Sequence, residues 1–65
     1  MTVVVNGDER ELSDGASVTA LLAVLNLTPD KVAVELNRRL LRSDKYDTAL
    51  KEGDVLEVVT FVGGG

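Results

Sequence analysis

The sequence predicts an α+β fold in which one helix lies across one face of a mixed β-sheet. Three observations predict it. A β-branched run near the start, Val3-Val4-Val5, stops at Asn6-Gly7, a strong signal for a two-residue hairpin. From Ser17 the apolar spacing becomes that of a helix face, and from Val32 it returns to alternation. Val55 to Phe61 then reads as the last and longest apolar strand.

Taken in order, Thr2 to Asn6 is a strand, and both turn positions, Asn6 and Gly7, tolerate the positive φ of a type I′ turn. The chain returns as Glu9 to Leu12, polar enough for a sheet edge, and breaks again at Asp14-Gly15. Ser17 stands where an N-cap belongs, with a hydroxyl able to accept an otherwise unpaired backbone N–H. Val18, Leu21, Leu22 and Leu25 fall at i, i+3, i+4 and i+7, one face of a helix whose other side is Thr19, Ala20 and Ala23. Asn26 suits its stop and Pro29 blocks continuation. So short a helix barely forms alone and must lie on a sheet.

In Val32 to Asn37, Val32, Val34 and Leu36 face one way while Ala33, Glu35 and Asn37 face the other, a strand with one buried side. Arg38-Arg39 and Leu40-Leu41 follow, then a polar stretch from Arg42 to Asp47 that reads as a turn or a single helical turn. Lys51-Glu52-Gly53-Asp54 is a tight turn into the final strand. There Leu56 and Val58 share a face with Thr60, and Val59 and Phe61 share the other with Glu57. With Glu57 toward water, alternation exposes Val59 and Phe61 as a patch for partner docking. The first and last strands are expected to be central and parallel.

At 65 residues the chain permits one small domain with a thin core. Aromatics are 3%, so that core is expected from Val, Leu and Ala. The absence of cysteine points to a reducing compartment, read here as the cytoplasm. A net charge of −4 and the lack of a basic patch argue against nucleic acid, and the apolar stretches fall short of a membrane span. Val3 to Val5 is too brief for a signal-peptide core, so the start is read as unprocessed. With no His and no Cys, the usual general base, thiol nucleophile and soft metal ligands are missing, which argues against a self-sufficient enzyme. Asp8, Glu9, Glu11 and Asp14 lack the spacing of a calcium loop and are read as solvated surface, with no metal site.

The chain ends in Thr60-Phe61-Val62-Gly63-Gly64-Gly65, so residues 1–61 are read as the domain and 62–65 as a flexible tail. Without cysteine, the group left for activation and loading is the α-carboxyl of Gly65, an anion at neutral pH. A carboxylate is a poor acyl donor until ATP converts it to an anhydride, which a nucleophile can open. No phosphate-cradling P-loop is present, so ATP and Mg²⁺ are expected from a partner enzyme. Glycines give a thin stalk with free backbone angles, and four residues reach at most about 14 Å. The bland reading is an inert chain end.

The hairpin and helix "VVVNGDERELSDGASVTALLAVL", the strand "KVAVELN", the turn "KEGDVLEVV" and the ending "TFVGGG" together resemble the ThiS family, the sulfur carrier proteins of thiamine biosynthesis. The resemblance covers essentially the whole chain. It implies the ubiquitin-like β-grasp fold and a monomeric carrier rather than an enzyme. It further implies that Gly65 is adenylated by an enzyme of the ubiquitin-activating type and converted to a thiocarboxylate. The sulfur would come from a donor such as a cysteine desulfurase and pass to thiazole synthase, with Gly64, Gly63 and Val62 as the stalk. The chain departs from the family at Asn37-Arg38, where many members have Asn-Gly followed by a Pro. An Arg at positive φ costs about 1–2 kcal/mol, which points to a longer turn or one of another type. Two other readings stand beside this one: a carrier like the small subunit of molybdopterin synthase, and a non-catalytic ubiquitin-like interaction module.

Overall fold

The computed structural model describes residues 1–61 of the chain. Two strands, β1 (Thr2–Val5) and β2 (Asp8–Glu11), form the first hairpin, followed by the helix α1 (Val18–Val24). A second hairpin of β3 (Val32–Leu36) and β4 (Arg39–Leu41) precedes the final strand β5 (Val55–Thr60). Single 3₁₀ turns at Pro29–Lys31 and Ser43–Lys45 fill the connections. The sheet order is β2-β1-β5-β3-β4, with β1 and β5 parallel and the other pairs antiparallel. The last strand thus lies at the centre of the sheet, with β1 beside it, as expected.

Local chemistry accounts for these elements. Asn6 and Gly7 both take positive φ, 51° and 86°, which closes the first hairpin in two residues. Ser17 accepts the Ala20 N–H through its hydroxyl and caps α1. Asn26, at φ 61°, ends the helix. Pro29 opens a 3₁₀ turn, where its fixed φ is already suitable and no N–H is needed.

Val18, Leu21 and Leu22 of α1 pack onto Val3, Val5, Val32, Val34, Leu56 and Val58 of the sheet. Leu25 is only partly buried against this core. Tyr46 and Leu50, from the segment between β4 and β5, complete the layer. That segment is pinned by Leu50 N–H to Ala16 O (2.7 Å) and Thr19 N–H to Tyr46 O (3.0 Å). The expectation of a Val, Leu and Ala core is therefore corrected: none of the buried apolar residues described is an alanine, and Tyr46 takes part. Ala20 and Ala23 lie on the exposed side of α1, and Ala33 lies opposite Val59 on the face of the sheet away from the helix, so none of the three enters the core.

The second hairpin also departs from expectation. Its turn is neither longer nor of another class: Asn37 and Arg38 join β3 to β4 directly, with φ of 51° and 71°. The geometry of a two-residue primed turn is kept despite the arginine. Asn37 offsets part of the strain, because its Oδ1 accepts the Val55 N–H (2.9 Å) and its Nδ2 donates to Asp54 Oδ1 (3.0 Å). Among the described residues no helix is long and apolar enough to cross a membrane.

Candidate functional site

The site lies where β5 hands the chain on to residues 62–65. The bonds that hold β5 follow from strand parity. Residues 55, 57, 59 and 61 direct their backbone groups toward β3, and the last such bond is Phe61 N–H to Lys31 O at 2.8 Å. Residues 54, 56 and 58 direct theirs toward β1: Val4 N–H donates to Asp54 O and Asn6 N–H to Leu56 O, each at 2.9 Å.

β1 ends before β5 does. Its register with β5 stops at Val5 opposite Leu56, and the side chain of Asn6 continues the ladder in its place. Asn6 Oδ1 accepts the Val58 N–H at 2.7 Å and Asn6 Nδ2 donates to Val58 O at 3.1 Å. At the other end, Asp54 Oδ2 accepts the Lys51 N–H (2.8 Å) in the turn where Gly53 takes φ 83°. Two asparagines from two different hairpins therefore fix the path of the strand that precedes the glycines.

The faces of β5 separate as alternation requires. Leu56 and Val58 are buried beneath α1, whereas Val59 is 60% and Phe61 55% exposed on the opposite face. Val55, Glu57, Glu35 and Leu40 are exposed there too, with Glu35 directly opposite Glu57 on one side and Leu40 on the other. Ala33 faces Val59 in the next register position. The chain's one phenylalanine is thus at the surface as the last described residue, on the same face as Val59. Gly65, Gly64, Gly63 and Val62, the residues expected to carry and present sulfur, lie outside the described residues.

The carboxylates of Asp8, Glu9, Glu11 and Asp14 are exposed. No group of three His, Cys, Asp or Glu suited to a metal ion occurs among the described residues, and no cavity is found among them. Arg38 lies in the turn of the second hairpin, Arg39 opens β4 and Arg42 follows it, with Arg42 Nε 3.7 Å from Asp44 Oδ1. Alternation did not reveal that Glu35 and Glu57 meet. Their pairing depends on the strand order and on a register that only the folded sheet defines.

Comparison with known proteins gives consistent results. A model of the ThiS family matches residues 3–65. The sulfur carrier protein ThiS of Bacillus subtilis is 36% identical over 59 residues, which cover 89% of each chain. A thiazole synthase of Paramagnetospirillum magneticum is 44% identical over 66 residues, covering all of this chain and 20% of that protein. The chain accordingly spans about a fifth of the length of the thiazole synthases it matches. The crystal structure of the thiamine biosynthesis protein ThiS from Geobacter metallireducens superposes with a TM-score of 0.77 at 38% identity, covering all of both chains. The sheet and helix therefore have the ubiquitin-like β-grasp arrangement.

Proposed function

The chain belongs to the ThiS family of sulfur carrier proteins of thiamine biosynthesis, and from that premise we propose that it carries sulfur as a thiocarboxylate on Gly65 and delivers it for thiazole formation. The observation that carries this reading is the family match over residues 3–65, a range that takes in the terminal glycines. The chemistry requires a free α-carboxylate at Gly65. One carboxylate oxygen attacks the α-phosphate of ATP, pyrophosphate leaves, and an acyl-adenylate forms. A hydrosulfide nucleophile then adds at the carbonyl carbon and AMP departs with the bonding pair, leaving sulfur in place of one oxygen. A donor's persulfide gives an acyl disulfide instead, and a thiol reductant then cleaves its S–S bond, forming a disulfide with the donor sulfur and freeing the thiocarboxylate.

This chain supplies the acyl group and a body to hold; an adenylating enzyme of the ubiquitin-activating type supplies the sites for ATP and Mg²⁺. A donor such as a cysteine desulfurase supplies the sulfur, and thiazole synthase receives it. Val62, Gly63 and Gly64 form the stalk that admits Gly65 to a closed site, where exclusion of water protects the reactive acyl group. Val59 and Phe61 provide apolar contact beside the stalk, on the face that α1 leaves open.

Reconstitution tests the reading. Protein loaded with sulfur by its activating enzyme is supplied to thiazole synthase and the remaining thiazole precursors, and the ring product is quantified. Thiazole formation that depends on the loaded carrier is the expected result. Acceptance of the sulfur by a molybdopterin synthase large subunit instead would assign the chain to the other pathway.

A further inference from the structure

Glu35 and Glu57 occupy directly opposed positions on β3 and β5, both exposed on the face away from α1. By the alternation of the ladder they form a hydrogen-bonded pair, flanked by the bonds at Asn37 and Phe61. Like charges in directly opposed positions destabilise a sheet. Nothing described relieves them: the ion pairs found among the described residues are Arg42 with Asp44 and the terminal amine with Glu11 and Asp14. The basic residue of the neighbouring strand is turned away, since Arg39 pairs with Leu36 and shares its face toward the core.

The surroundings of the pair are apolar. Leu40, 71% exposed, stands beside Glu35 on β4, and Val59 and Phe61 follow Glu57 along β5. Two carboxylates bordered by apolar side chains suit one kind of occupant, a cationic side chain with an apolar stem. Resting on the carrier reading above, we propose that this face docks a partner protein that places an arginine or lysine between Glu35 and Glu57 while apolar residues around it cover Val59 and Leu40. A second copy of the chain does not fit, because a two-fold contact centred here would bring four carboxylates together. The net charge of −4 steers the same class of partner toward the chain.

The test uses Glu35→Gln, Glu57→Gln and the double variant, with the activating enzyme and the thiazole synthase of the same organism as probes. Titration calorimetry at low and high salt reads affinity, thermal melting reads stability, and intact mass reads sulfur loading. The double variant is expected to bind at least one of the two enzymes ten-fold or more weakly at low salt, with a smaller difference at high salt. Its melting temperature is expected to equal or exceed that of the parent. Unchanged affinity for both enzymes, with the parent still loading sulfur, would overturn the docking proposal and leave the carrier reading standing. A parent that fails to load with a demonstrably active enzyme would overturn the carrier reading and this proposal with it. A melting temperature lowered in the double variant, or a parent homodimer weakened by it, would overturn the proposal independently of loading.

Discussion

The side-chain amide of Asn6 binds both backbone groups of Val58, at 2.7 and 3.1 Å, and so stands in for a strand that has already turned away. One residue thereby performs two tasks. Its φ of 51° closes the first hairpin, and its amide holds β5 two residues before the exposed Thr60.

Substitution separates those tasks. Asn6→Gly keeps the backbone conformation and removes the two hydrogen bonds, each with a net contribution of about 0.5–1.5 kcal/mol. Asn6→Ala adds the left-handed penalty of about 1–2 kcal/mol. Chemical denaturation is expected to rank the parent above Asn6→Gly and Asn6→Ala last. Equal stability of parent and glycine variant would show that the amide contributes nothing.

Arg38 holds φ 71° with no ion pair among the described residues. Arg38→Gly relieves about 1–2 kcal/mol of backbone strain and gives back about 0.4–1 kcal/mol through the freer unfolded chain. A Tm raised by a few degrees is the expected outcome. A lower Tm would mean that the arginine stabilises the turn by contacts that offset its strain.

Tyr46 is 5% exposed within the core, and no buried side-chain polar atom lacks a partner among the described residues. Tyr46→Ala is expected to cost about 3–5 kcal/mol, as large aromatic truncations do. That is most of the stability of so small a domain. Tyr46→Phe keeps the packing and is expected to melt within a few degrees of the parent. A large loss from the phenylalanine variant would assign the hydroxyl a structural role.

Phe61 is exposed, so Phe61→Asp is expected to change stability by no more than about 0.5 kcal/mol while weakening association with the activating enzyme. Melting curves and binding titrations made on the same preparation check both halves. A destabilised variant would place the ring against the fold in solution.

Much of this arrangement was legible in the residues. Alternation in Val32 to Leu36 and Val55 to Phe61 separated buried from exposed side chains, because a strand has only two faces. The Ser17 cap and the helix stop at Asn26 were equally plain. What escaped was long-range. Tyr46 and Leu50 sit in a segment without periodicity and are buried because backbone bonds to Ala16 and Thr19 fold that segment over the end of α1. Asn6 and Asn37 read as turn residues, but their bonds to β5 depend on a strand about fifty and eighteen positions away. The Glu35 and Glu57 pairing likewise follows from strand order, which local pattern does not encode. At Asn37-Arg38, local preference argued against the turn that forms, because the cost at one arginine is offset by the bonds of its neighbour.

The most direct measurement is fragmentation mass spectrometry of the protein after incubation with its activating enzyme, ATP and a sulfur source. Replacement of one oxygen by sulfur, confined to the fragment that ends in Gly65 and lost when Gly65 is deleted, is the result this account predicts. An unchanged mass with a demonstrably active enzyme, or sulfur found on any other residue, would contradict it.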